Sequence, residues 1–124
     1  MKFKATHSFK DRKDEYLRIK LKHPNKIPII CEKHHNSTLP HNEKQKYLVD
    51  PELTLGHFIY VIRKRIKLDP NQAIYMFIKG TIPSSNETIQ SIYHNYIDDD
   101  GFLYMSYTNE NTFGFDGVWK QIRL

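Results

Sequence analysis

Apolar positions in the first quarter of the chain recur at helical spacing. Tyr16, Ile19 and His23 stand three and four apart, Leu17 and Leu21 add a second stripe, and Ser8 and Asp11 supply a capping pattern upstream. This predicts helical, polar structure over residues 1 to 24, in two helices, closed by Pro24. From Ile27 to Cys31 the pattern changes to Ile-Pro-Ile-Ile-Cys, a β-branched apolar run that predicts a strand. Pro28 within it favours an edge position, because proline has no N–H to give to a ladder, and an edge strand can recruit a partner. Residues 34 to 43 read as loop, and Lys46 to Val49 as a second short strand near Pro51.

Leu55, Phe58, Ile59, Ile62 and Ile66 follow the i, i+3, i+4, i+7, i+11 pattern with Thr54 placed to cap, which predicts a helix over 55 to 67 that Asp69-Pro70 closes. Ala73 to Ile78 is a continuous apolar run, expected to be a strand covered on both faces. Lys79-Gly80 marks a turn, Ile89, Ile92, Tyr93 and Tyr96 a short helix, and Asp98-Asp99-Asp100-Gly101 a break before a terminal strand of aromatic and apolar residues, Phe102 to Tyr107. Without its first two helices this is the ββαββ order of a β-grasp domain with an extra short helix before the last strand. The expected class is therefore α+β, with a four-stranded mixed sheet and two additional N-terminal helices.

The size of 124 residues suits a single domain, and 39% hydrophobic content is enough to close a two-layer core. No run approaches the roughly 20 apolar residues that cross a bilayer, and the N-terminus lacks the apolar block of a signal peptide, so a cytoplasmic protein is expected. One cysteine, Cys31, excludes an internal disulfide framework, and its place in an apolar run points to packing. The net charge of +5 is unevenly spread: residues 1 to 33 hold ten Lys or Arg against four Asp or Glu, while residues 98 to 116 carry five acids and no base. Such a basic head suits acidic partners or an anionic membrane surface. No aromatic platform interleaves with those charges, which argues against specific nucleic-acid recognition. His34, His35 and His41 lie in a polar loop without a cysteine pair and do not make a metal site. With no phosphate loop and no nucleophile elbow, the chain does not read as an enzyme, and no cofactor is implied.

Gly101 to Gly114 joins a buried strand to a polar lead of small and amide residues ending on one glycine, the build of a ubiquitin-like modifier. Four blocks carry a more specific likeness: His-Pro-Asn-Lys-Ile-Pro-Ile-Ile-Cys-Glu-Lys at 23 to 33, Lys-Tyr-Leu-Val at 46 to 49, Phe58 with Ile62-Arg-Lys-Arg-Ile66, and Asp99-Asp100-Gly101-Phe102-Leu103-Tyr104. Together they resemble the autophagy ubiquitin-like modifiers typified by GABA type A receptor-associated protein and microtubule-associated protein light chain 3. The resemblance implies processing by a cysteine protease between Gly114 and Phe115, with Phe113 preceding the cut. Activating and conjugating enzymes would then carry Gly114 to phosphatidylethanolamine on autophagosomal or related vesicle membranes. It further implies four segments: an N-terminal helical extension packed on the core (1–24), the core (25–108), a flexible C-terminal arm (109–114) and a removable tail (115–124).

The same resemblance implies a groove for cargo receptors and adaptors bearing aromatic-x-x-aliphatic peptides, bound by β-augmentation. Carried over residue by residue, a first pocket comprises Glu15, Ile19, Pro28, Ile30, Lys46, Leu48 and Phe102, and a second comprises Tyr47, Val49, Leu53, Phe58 and Val61, with Arg63 at its rim. Lys26, Lys44, Lys46 and Arg63 are expected to face acidic residues of such peptides. One departure stands out: Asp50 occupies the place after Tyr-Leu-Val where the family carries proline, and an acid there is expected to alter peptide preference. In the tail, Trp119-Lys-Gln-Ile122 has the ligand pattern itself, which points to self-association through the groove of a neighbouring molecule or, less readily, the chain's own. A non-conjugated adaptor and a basic microtubule- or nucleic-acid-binding module remain the alternatives.

Overall fold

The computed structural model describes residues 1–109. Two helices, α1 (Lys2–Thr6) and α2 (Phe9–Lys22), precede strands β1 (Ile27–Lys33) and β2 (Lys46–Val49); α3 (Leu55–Arg65), β3 (Tyr75–Phe77), α4 (Ile89–Tyr96) and β4 (Leu103–Thr108) follow. The caps are local and chemical. The hydroxyls of Ser8, Thr54 and Thr88 accept from the N–H groups of Asp11, His57 and Ser91, each satisfying a donor that the first helical turn leaves open.

The sheet runs β2-β1-β4-β3, with β1 and β4 parallel and both outer pairs antiparallel. Side chains alternate across it. Ile27, Ile29 and Cys31 of β1 join Leu103, Met105 and Tyr107 of β4 and meet Phe58 and Ile62 of α3 in the main core. On the other face Ile30, Phe102 and Tyr104 pack with Phe3 of α1, against Tyr16 and Ile19 of α2. The sheet is therefore covered on both sides, and the N-terminal helices build the second layer. Glu32 fastens α1 to β1: its buried carboxylate accepts from the N–H groups of Lys2 (2.8 Å) and Phe3 (2.9 Å).

Three expectations change. β1 is an inner strand, not an edge. Cys31 N–H donates to the Gln45 carbonyl (2.8 Å), so odd-numbered N–H groups of β1 point to β2 and even positions point to β4, where pairing begins only at Ile29. The nitrogen of Pro28 thus falls on the β4 side, ahead of the ladder, and its missing proton costs no bond. The run from Ala73 to Ile78 yields only Tyr75–Phe77 as strand, since β4 offers it three partners and Lys79-Gly80 turns the chain with positive φ at both residues. It is an edge strand, and Ala73 is exposed. On α2, Tyr16 and Ile19 face the sheet, but Leu17 and Leu21 point outward, at 48% and 84% exposure.

Gly101 has a φ of +97°, and a Cβ there would collide with the ring of Tyr16. Its glycine lets α2 lie directly against the turn that launches β4.

Candidate functional site

Among the described residues β2 is an edge strand next to β1, and its four residues divide between the two faces. Lys46 and Leu48 lie cross-strand from Ile30 and Pro28, while Tyr47 and Val49 lie cross-strand from Ile29 and Ile27. The first expected residue set therefore sits on the α2 side and the second on the α3 side, with β2 between them. Hydrogen bonding gives the backbone an orientation as well. Cys31 donates to Gln45, which turns the polar groups of Gln45, Tyr47 and Val49 toward β1 and leaves those of Lys46 and Leu48 facing away from the sheet.

Within the first set, Ile30 and Phe102 are 0% and 1% exposed. They form a floor sealed by Phe3, whose ring lies 5.6 Å from that of Phe102, rather than an open wall. Pro28 is also buried and Ile19 half-buried, while Leu48, at 41%, presents the accessible apolar surface. Glu15 and Lys46 form an ion pair across the top (2.8 Å), and the Lys46 ammonium lies 5.3 Å from the centre of the Phe3 ring. In the second set Phe58 and Tyr47 belong to the core, their rings edge to face at 5.3 Å, and Val49, Leu53 and Val61 are half-buried. Burial raises the pKa of the Tyr47 phenol, which donates to the Lys44 carbonyl (3.0 Å) and accepts from Asn42 (2.6 Å), tying the 34–45 loop to the edge.

The four cations expected at the rim have partners within the chain. Lys26 pairs with Asp50 (2.6 Å), Lys46 with Glu15, Lys44 lies over the Tyr47 ring at 4.9 Å, and Arg63 donates to the carbonyls of Asp69 (3.2 Å) and Pro70 (3.3 Å). The unusual Asp50 is thus half of an ion pair just beyond the last β1–β2 register pair. Its side chain keeps 65% exposure, so the pair is weakly screened from competitors. A cleft of about 650 Å³, which Lys20, Ile27, Asp50, Glu52 and Tyr93 help to line, opens beside it.

Behind the edge is a polar node that sequence spacing did not reveal. The fully buried carboxylate of Asp100 accepts from Arg12 Nε (2.8 Å), Phe102 N–H (2.9 Å) and the Tyr104 hydroxyl. Lys4 pairs with Asp98, and Lys13 reaches the Asp99 carbonyl (3.3 Å). Lys4, Arg12 and Lys13 of the basic head are thus turned toward the acidic turn before β4, which ties α1 and α2 to the sheet. Cys31 is buried and packs with Met76. Among the described residues no group of three or more His, Cys, Asp or Glu is arranged to hold a metal ion, and no helix there is long and apolar enough to cross a membrane. Phe113, Gly114, Phe115, Trp119 and Ile122 lie outside the described residues.

A family model described as "Autophagy protein Atg8 ubiquitin like" matches residues 11–114. Autophagy-related protein 8 of Mycosarcoma maydis is 51% identical over 112 residues, 90% of this chain and 95% of that protein. The protein of the same name from Coccidioides immitis is 50% identical over 113 residues, 91% of this chain and 97% of its own. The crystal structure of Trypanosoma brucei ATG8 superposes with a TM-score of 0.84 at 38% identity, covering 89% of this chain and 95% of that one. The ubiquitin-like sheet, the two helices packed behind it and these matches agree: the chain belongs to the Atg8 family of ubiquitin-like autophagy proteins.

Proposed function

We propose that this chain works as a conjugated membrane tag. The Gly114–Phe115 peptide bond is hydrolysed, and the freed Gly114 carboxylate is activated by ATP on the activating enzyme as an acyl adenylate with release of pyrophosphate. Enzyme thiols displace AMP and pass the acyl group as a thioester to the conjugating enzyme, and the amine of phosphatidylethanolamine then displaces that thiol to form an amide. Held on the membrane, the domain recruits receptors and adaptors whose acidic aromatic-x-x-aliphatic segments add beside β2. One observation carries the second half of the reading: the two apolar residue sets flank a single edge strand whose Lys46 and Leu48 backbone groups face outward. An extended segment bonded to that edge projects residues three apart to opposite faces, which is what an aromatic and an aliphatic side chain separated by two spacers require. The aromatic residue would displace Lys46 from the Phe3 ring and settle against Leu48 and Ile19. The aliphatic one would rest on Val49, Leu53 and Val61.

Mass spectrometry of the cellular protein tests the conjugation: a form ending at Gly114 that carries the added lipid mass is expected, and Leu124 intact under autophagy-inducing conditions would sink it. Titration with an acidic peptide bearing the pattern tests the groove. Backbone amide shifts should centre on Lys46 to Val49, and shifts centred elsewhere would refute it.

A further inference from the structure

The tail segment Trp119-Lys-Gln-Ile122 has the same pattern that the groove is read to accept, and the structure shows where the chain that carries it departs. The last described residue, Asn109, is anchored to the loop that leads into β2. Thr38 N–H donates to Asn109 Oδ1 (3.2 Å), and Asn109 Nδ2 donates to the Thr38 hydroxyl (2.6 Å). From the pairings of Lys33 with Tyr107 and of Ile30 with Lys46, Asn109 lies about five residues up the sheet and two strands across from the start of β2. At about 3.3 Å per residue and 4.8 Å per strand, the place for Trp119 beside Lys46 is roughly 20 Å from Asn109. Ten residues span at most roughly 33–36 Å, and as a coil they average about 16–19 Å. The tether is long enough, and its mean length is near the span at which effective concentration peaks.

Approach from the Asn109 side also fixes direction. The tail would enter at Lys46 and leave at Val49, parallel to β2, with Trp119 and Ile122 on opposite faces as the two residue sets demand. The charges follow the same direction: Asp116 would come before the entry, where Lys44 and Lys46 stand, and Arg123 would follow Ile122 to the exposed carboxylate of Asp50. The acid that replaces proline after Tyr-Leu-Val is then the partner of a basic residue one place beyond the motif.

We propose that residues 119–122 of the unprocessed chain occupy that chain's own groove, so that cleavage after Gly114 frees the binding edge as it creates the conjugation terminus. The proposal rests on the groove reading above and reverses the preference for a neighbouring molecule. The chain's one tryptophan is Trp119, so its fluorescence reports occupancy directly.

The test compares the full chain with its Trp119→Ala/Ile122→Ala variant and with the form ending at Gly114. The probe is an acidic Phe-x-x-Leu peptide without tryptophan. With millimolar effective concentration and a tail motif of roughly 0.1 mM intrinsic affinity, the double variant and the trimmed form should bind the probe about tenfold more tightly than the full chain. Trp119 emission in the full chain should be blue-shifted, should move to the red on saturation with probe, and should not depend on protein concentration. Equal affinities with solvent-like Trp119 emission overturn self-occupancy while leaving the groove reading intact. A difference that vanishes on dilution assigns the tail to a second copy and overturns the own-groove proposal. Folded protein that binds the probe in none of the three forms removes the groove reading and the proposal together.

Discussion

Asp100→Asn tests how the N-terminal helices are held to the β-grasp sheet. The Asp100 carboxylate is fully buried and accepts three hydrogen bonds, two of them on Oδ2 from Arg12 Nε and the Tyr104 hydroxyl, and one on Oδ1 from Phe102 N–H. Asparagine keeps the shape but offers a single acceptor oxygen. Whichever way it turns, its NH2 group faces a donor, either Phe102 N–H or the Arg12–Tyr104 pair. Hydrogen bonds to a charged group contribute about 1.5–3 kcal/mol each, and removing one partner of a buried ion pair costs about 3–5 kcal/mol. Arg12 keeps its bonds to the carbonyls of His7 (2.7 Å) and Lys4 (3.3 Å), which places the expected loss near the lower bound, about 3 kcal/mol. That is a large share of a domain stability of about 5–15 kcal/mol. Urea unfolding followed by far-UV circular dichroism should show the midpoint falling with an unchanged slope. A variant within about 0.5 kcal/mol of the parent would refute the account, since that is the range of surface substitutions. Tyr104→Phe, which leaves the ion pair and removes one donor to the charged carboxylate, should cost about 1.5–3 kcal/mol.

Leu48→Asp places a carboxylate on the exposed edge, so stability should stay within about 0.5 kcal/mol of the parent while affinity for the acidic peptide falls at least tenfold; binding by the variant equal to the parent's would remove Leu48 from the groove. The Cys31 thiol is buried and its pKa is raised, first by desolvation, so alkylation of the native protein should proceed only at the rate of unfolding; labelling as fast as a free thiol would contradict the packing. Burial opposes the charge on Asp98, but the hydrogen bond from Lys4, the N–H of Asp100 and the Lys4 charge outweigh it and hold its pKa below the usual carboxylate value. The unfolded chain then takes up this proton first as pH falls, so the stability Asp98 contributes is present above about pH 4 and is lost below it. Urea midpoints measured from pH 7 to pH 3 should fall less steeply for Asp98→Asn than for the parent, and parallel curves would count against it.

What the sequence made legible was local or periodic. Ser8 and Thr54 act through the next turn of their own helices, and the apolar runs of residues 27–31 and 46–49 lie in strands as their composition predicts. Long-range electrostatics were not legible. Arg12 and Asp100 are separated by 88 positions and Lys26 and Asp50 by 24, and nothing in their neighbours signals the pairing. Depth was not legible either. Ile30 and Phe102 read as pocket wall, yet Phe3, brought in by two backbone bonds to Glu32, turns them into a floor. Pro28 misled for a geometric reason. The proline rule concerns the side on which an N–H is missing, and that side can be told only once the partner strands and their starting residues are known.

The placement of the two residue sets is a consequence of one register. Tyr47 and Val49 reach the α3 core because they lie opposite Ile29 and Ile27, and Leu48 and Lys46 reach the α2 face because they lie opposite Pro28 and Ile30. A slip of one residue between β1 and β2 would send Tyr47 to the α2 side and Lys46 into the core, exchanging the two faces at once. Four residues of pairing would hold such a register weakly, but it is clamped at both ends. Cys31 N–H donates to Gln45 before the first pair, and Lys26 meets Asp50 after the last. The acid at position 50 therefore has two effects that pull in different directions. It adds an exposed ion pair with Lys26, worth at most about 1 kcal/mol, and it adds a negative charge where an acidic ligand would leave the proposed groove. A basic residue in that place on the ligand relieves the second without disturbing the first. Under the proposed own-groove binding, Arg123 would supply one from within the chain, and specificity at this edge would then be set jointly by the strand register and by the charge that terminates it.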